Sequence, residues 1–176
     1  MNTHITESLA DYERYLGFDE LRRMIFQIPY SQFCEQGDIT DWSSWNRLKD
    51  QLTQELEKYC TDENIEKIYG PYRDGHEKGE FSVRIRASGF FWIPRDLFGI
   101  EEHLYAFYDE PELMHDMNQF ILDVYLKYLT KITAIIQPEV LLVPEDLSGK
   151  NGPMLSPDCF DEFVGAYYKK LFPALR

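Results

Sequence analysis

Along the first 78 residues, apolar positions recur at helical spacing in short runs. Glu7 to Leu16 and Glu20 to Ile28 read as short amphipathic helices, and Trp45, Leu48, Leu52 and Leu56 mark one face of a longer one. Pro29, Gly37, Gly70, Pro71, Gly75 and Gly79 punctuate this zone and leave no room for a long strand. From Gly79 the period changes. In EFSVRIRASGFFW, Phe81, Val83 and Ile85 alternate with Ser82, Arg84 and Arg86, the period of two expected of a strand, and Ser88-Gly89 ends the run.

Two short helices, broken near Gly99 and Asp109, are expected next. Pro111 then suits the first turn of a long helix running to Ile136, with Leu113, Met117, Phe120, Val124, Tyr128, Ile132 and Ile135 as its apolar stripe. It stops before Pro138. The run EVLLV that follows is short and rich in branched apolar side chains, so it reads as a strand buried on both faces. Ser156 is a natural N-cap and Pro157 a natural first residue for a last helix, with Phe160, Phe163, Tyr167 and Leu171 turned inward. Strands alternating with helices predict an α/β fold with a parallel sheet and helices packed outside it.

A chain of 176 residues with 44% hydrophobic content supports one domain with a substantial core. The net charge of −13 argues against nucleic acid or an anionic membrane as a partner, because both repel it. Cys34, Cys60 and Cys159 are far apart and form no CxxC pair, which favours reduced, buried thiols over a metal site. His4, His76, His103 and His115 are equally dispersed, and the last two sit among acids on helical faces, where exposure is expected rather than zinc. The first residues lack the basic and apolar regions of a secretory signal, and no apolar run is long enough to cross a bilayer. A cytoplasmic protein is therefore expected.

Candidate chemistry concentrates in residues 141–157, LLVPEDLSGKNGPMLSP, at the end of the second clear strand. Ligands in α/β folds meet the chain at the carboxyl ends of strands. Glu145 and Asp146 could serve there as proton donor and acceptor or bind a cation. The structural alternative is that Asp146 caps a turn and Glu145 pairs with Lys150. The GKNG stretch lacks the spacing of a phosphate loop, so Gly149 and Gly152 are expected to permit positive φ in a tight connection. Arg84 and Arg86 share one strand face and offer either a carboxylate-binding fork or a solvated face. Trp92, with Phe90 and Phe91, offers a pocket wall for a flat ligand or ordinary core packing. Lys150 and Asn151 complete the set of candidate ligand contacts.

Residues Phe91 to Arg176, above all FGIEEHLYAFYDEPELMHDM and LLVPEDLSGKNGPMLSPDCFDEFVGAYYKKLFPALR, resemble the uroporphyrinogen decarboxylase superfamily, which includes methylcobamide methyltransferases that act with corrinoid proteins. The resemblance implies a (β/α)8 barrel with its site at the C-terminal mouth, and this chain as a partial TIM barrel. Residues 79–176 would supply its βα units and residues 1–78 a helix-rich N-terminal part of the same domain. Gly89 to Trp92 match the family's Gly-x-x-Trp phrase, and Asp146 stands where decarboxylases carry a substrate-facing serine. The arginine-bearing Arg-Gln-Ala-Gly-Arg-Tyr phrase is absent, as are the histidine and cysteines that bind zinc in the methyltransferases. The activity implied is cofactor-free decarboxylation of a tetrapyrrole's acetate arms, or methyl transfer with a corrinoid protein, with Asp146 and Glu145 as the catalytic carboxylates. The alternative is a non-catalytic, truncated subunit or binding module that dimerises through an open sheet edge. Both readings carry the expectation of a homo-oligomer.

Overall fold

The structure, a computed structural model, describes residues 11, 12 and 15–175. Its main sheet has three parallel strands, β1 (Leu21–Ile25), β2 (Ser82–Arg86) and β3 (Val140–Leu142), with β2 in the middle. Between β1 and β2 run α1 (Trp42–Tyr59), α2 (Asp62–Tyr69) and α3 (Arg73–Glu77). Between β2 and β3 run α4 (Trp92–Phe98), α5 (Ile100–Asp109) and α6 (Pro111–Val124), the last continuing through a π-helical turn (Tyr125–Leu129) into α7 (Thr130–Ile135). A two-stranded hairpin, β4 (Ser148–Gly149) and β5 (Gly152–Pro153), follows β3. The chain then enters α8 (Pro157–Phe160), a second π-helical turn (Asp161–Gly165) and α9 (Ala166–Ala174). This is a helix-rich α/β fold, as the alternation of periods predicts.

Helix starts follow the local chemistry. Asp41 and Ser44 form a reciprocal capping box at α1, Thr61 accepts from the Asn64 amide at α2, and Ser156 accepts from the Cys159 amide at α8. The α1 stripe of Trp45, Leu48, Leu52 and Leu56 is buried as its spacing predicts. In the long helix Leu113, Met117, Val124, Tyr128 and Ile132 are buried, while Phe120 and Ile135 are half-buried at its flank.

Three expectations are corrected. The segment Glu20 to Ile28, expected to be helical, contains β1. Its apolar residues suit either period, and ladder pairing with β2 decides, with the Ser82 amide donating to the Glu20 carbonyl at 2.8 Å and the Phe26 amide to the Arg86 carbonyl at 2.9 Å. Most of the other expected segment, Glu7 to Leu16, lies outside the described residues. The run EVLLV is a strand but is not buried on both faces, since Val140 and Leu142 are 46% and 37% exposed. His103, expected at the surface, is fully buried.

Register explains the exposure in β3. Met24, Ile85 and Leu141 align on the covered face, where Val83 and Ile85 are fully buried. Burial of each such side chain stabilises the fold by about 1.5–3 kcal/mol. The opposite face carries two aligned rows, Arg23–Arg84–Val140 and Ile25–Arg86–Leu142. Ile25, Val140 and Leu142 are exposed there. Among the described residues no helix is long and apolar enough to cross a membrane.

Candidate functional site at the strand ends

The carboxyl ends of the three strands lead into the loops that hold most of the candidate residues. After β2 the chain turns through Ser88 and Gly89 into α4, whose first turn has amide groups with no side-chain cap at its own N-terminus. Glu145, beyond β3, fills that position. Its Oε2 accepts hydrogen bonds from the backbone amides of Phe91 at 3.0 Å and Trp92 at 2.8 Å. Its Oε1 accepts from the Tyr168 hydroxyl, carried by α9. Gly89 makes the approach possible, because a Cβ built there would lie 2.0 Å from the Glu145 Cδ.

Electrostatics around this carboxylate follow from its enclosure. Burial raises the Glu145 pKa above the usual carboxylate value, and the Tyr168, Trp92 and Phe91 donors oppose that shift without cancelling it. The Tyr168 and Tyr125 hydroxyls are each pushed upward by burial and then by the Glu145 charge, so both stay protonated. Tyr125, the first residue of the π-helical turn after α6, donates to the Ser88 carbonyl and so braces the same turn from behind. Phe90 packs edge-on against Tyr125 and Tyr168, with ring centroids 6.1 and 4.9 Å away.

Asp146 differs from its neighbour in every respect. It is exposed, has no hydrogen-bond or ion-pair partner among the described residues, and adopts φ +48°. Among the described residues it is the non-glycine residue with positive φ. Such a conformation costs roughly 1 kcal/mol for a residue with a Cβ, least for Asp and Asn. The backbone therefore turns over between Glu145 and Asp146, sending one carboxyl inward and leaving the other in solvent.

Lys150 and Asn151 form the exposed two-residue turn of the β4–β5 hairpin. Gly152 takes φ +114° as expected of a glycine in that connection, whereas Gly149 does not adopt positive φ. The expected Glu145–Lys150 pair does not form, since the Glu145 oxygens are engaged by Tyr168 and the α4 amides. Arg84 and Arg86 lie on the open sheet face, Arg84 half-buried with an unpartnered Nε and Arg86 exposed at the end of β2. Phe90 and Phe91 are core residues. Trp92 is half-buried and supports the Arg95 guanidinium 5.7 Å from its ring centroid.

Further buried residues complete the shell. Tyr30, after β1, is buried beside Asp96 and Trp92, and burial followed by the Asp96 charge pushes its hydroxyl upward. His103 sits between the rings of Phe91 and Phe107, each 4.8 Å away, with neither ring nitrogen hydrogen-bonded. Burial, then the Arg95 cation, lowers its pKa to about 3, so it is neutral. Tyr125 and Tyr168 carry no sequence signal beyond an aromatic-rich composition, and Gly89 is marked only by the strand-ending Ser-Gly pair and the Gly-x-x-Trp phrase. Among the described residues no group of three or more His, Cys, Asp or Glu side chains is arranged to hold a metal ion.

Comparison with known proteins adds no relative: no family model, no curated protein and no solved structure matches the chain.

Proposed function

We propose that this chain forms part of the wall and mouth of a (β/α)8 barrel of the uroporphyrinogen decarboxylase type and binds a carboxylate-bearing tetrapyrrole or corrinoid-type ligand there. One observation supports this above the others. Asp146 is an exposed, unpaired carboxylate in a strained conformation at the carboxyl end of β3, while Arg86 is an exposed cation at the carboxyl end of the adjoining β2. Strained backbone of this kind is retained where surrounding structure enforces it, and it concentrates at functional positions. Arg86 and Arg84 would take the ligand's acidic side arms through charge-assisted hydrogen bonds. Asp146 would face the ring and stabilise the cation formed when a pyrrole is protonated; that cation takes up the electron pair released as an acetate arm loses carbon dioxide, and a proton then completes the methyl group as the ring proton leaves. Trp92, Lys150 and Asn151 border the same loops.

The test is anaerobic incubation with uroporphyrinogen, with coproporphyrinogen measured as product, alongside fluorescence titration with uroporphyrin. Product formation by the wild type and its loss in Asp146→Asn are expected. Absence of both turnover and porphyrin binding in the wild type would sink this reading.

A second reading, a non-catalytic module that self-associates, is favoured by the exposed Ile25, Val140 and Leu142 on the uncovered sheet face. Parallel sheets ordinarily have both faces covered. Light scattering over a concentration series tests it, and a monomer throughout would remove it.

A further inference from the structure

We infer that Glu145 is a positioning residue rather than a proton carrier, and that with Tyr168 it clamps the β3 loop onto the first turn of α4 so that Asp146 is presented outward. This inference deepens the proposed ligand-binding mouth and rests on that reading.

The geometry accounts for the oxygens of Glu145 in turn. One accepts two backbone amides, the other a phenol, and the carboxylate lies over Gly89 in a space too small for a methyl group. A proton carrier must reach the atom it serves within hydrogen-bonding distance. Glu145 instead spends its acceptor positions on three partners inside the fold. Those partners belong to two separate segments, the turn after β2 leading into α4 and helix α9, so that Glu145, from the loop after β3, ties three parts of the chain together. The same loop is held downstream by the Met154 amide, which donates to the Leu147 carbonyl at 2.8 Å. Asp146 lies between these two anchors, and the positive φ is where the chain reverses from the inward anchor toward the hairpin. Tyr168 is thereby a second positioning residue, acting through Glu145 without facing the mouth.

A conservative replacement separates the two roles. Glutamine keeps a carbonyl oxygen for the α4 amides and an amide that can donate to the Tyr168 oxygen, but it cannot carry a proton. Amide hydrogen exchange at Phe91, Trp92 and Met154 should be measured in wild type, Glu145→Gln, Glu145→Ala and Tyr168→Phe, together with the dissociation constant for uroporphyrin. Exchange at all three amides is expected to rise about tenfold or more in Glu145→Ala, to rise less in Tyr168→Phe, and to stay within about threefold of wild type in Glu145→Gln. Uroporphyrin binding should follow the same order, lost in the alanine variant and kept in the glutamine variant. Unchanged exchange in Glu145→Ala would overturn the clamp. Protected amides with binding as weak in Glu145→Gln as in Glu145→Ala would overturn the positioning role, since Glu145 itself would then touch the ligand. If the alanine variant does not fold, Tyr168→Phe and Glu145→Gln decide the same question. If wild type binds no uroporphyrin, the ligand reading fails on that arm alone, while the exchange arm still upholds or overturns the clamp.

Discussion

Gly89 lies so close beneath the Glu145 carboxylate that a single added methyl group would fall 2.0 Å from its Cδ and 2.1 Å from Oε1. No rotamer change relieves such an overlap without withdrawing the carboxylate. Gly89→Ala therefore expels Glu145 and leaves the Phe91 and Trp92 amides without their acceptor. Each buried group left unpaired costs about 1–3 kcal/mol, so a loss of roughly 2–4 kcal/mol is expected in denaturant titration. Gly149→Ala is the control, because its Cβ would meet only the Met154 methyl at an ordinary 3.5 Å. Equal losses in the two variants would show that the Gly89 contact is not special.

His103 makes stability fall in acid. Its folded pKa of about 3 lies well below the value near 6.5 of an unfolded histidine. The depressed value means that the unfolded chain takes up a proton that the fold excludes, so the His103 contribution to stability is full above about pH 6.5 and is lost as pH falls below it. The loss approaches about 1.4 kcal/mol per pH unit, or about 2 kcal/mol between pH 8 and pH 5. With neither ring nitrogen hydrogen-bonded, His103→Phe sacrifices no partner and fills a similar space between Phe91 and Phe107. Urea titrations at pH 8 and pH 5 should show the variant gaining on wild type by about 2 kcal/mol over that interval. An unchanged difference would contradict a neutral buried imidazole.

Glu145 acts in the opposite direction. Its folded pKa is raised, first by burial, so its contribution to stability is present below the ordinary carboxylate value and is lost as pH rises toward the shifted one. Glu145→Gln removes that dependence. The glutamine variant is expected to gain on wild type from pH 4 to pH 8, and a loss over the same range would reverse the sign assigned to the shift.

Asp116 joins two helices, accepting from Trp45 Nε1 and Lys49 Nζ, both at 2.7 Å. Trp45 is 1% exposed, so Asp116→Ala leaves its indole N–H buried and unpaired. The expected cost is about 1–3 kcal/mol. A double-mutant cycle with Trp45→Phe checks it: the loss from Asp116→Ala should shrink once the N–H is gone. An equal loss in both backgrounds would place the effect elsewhere.

Asp146 offers a test of conformational strain. Glycine relieves the cost of φ +48°, so Asp146→Gly should be as stable as wild type or up to about 1 kcal/mol more stable, whereas Asp146→Val should lose about 1–2 kcal/mol. Under the proposed function the glycine variant also loses porphyrin binding, which makes a rise in stability coincide with a fall in affinity. Asp146→Gly less stable than wild type would mean that this side chain supports the fold.

The elements most legible in the sequence are those whose burial is decided within one segment. The α1 stripe, the alternation in β2, the Pro111 and Pro157 helix starts and the Ser156 cap each depend on neighbours a few residues away, and each stands where its pattern puts it. β1 departs from the expected helix because Leu21, Met24, Ile25 and Ile28 satisfy a helical spacing, and only hydrogen bonds to a strand some sixty residues later select the other period. His103 departs from its expected exposure for a related reason, since acids beside it in sequence say nothing of the Phe91 and Phe107 rings that enclose it.

By itself, then, the sequence determined an acidic α/β chain with parallel strands, its helix caps, and a strand-end loop bearing two adjacent acids. Only the tertiary structure decided that those acids are unlike. The α4 amides and the space over Gly89, both at the turn after β2, and the Tyr168 hydroxyl of α9 converge on Glu145 from two distant segments, while a positive φ turns Asp146 out. Adjacent residues share a sequence neighbourhood but not a dielectric, and the chemistry open to a carboxylate is set by the groups brought to it through folding.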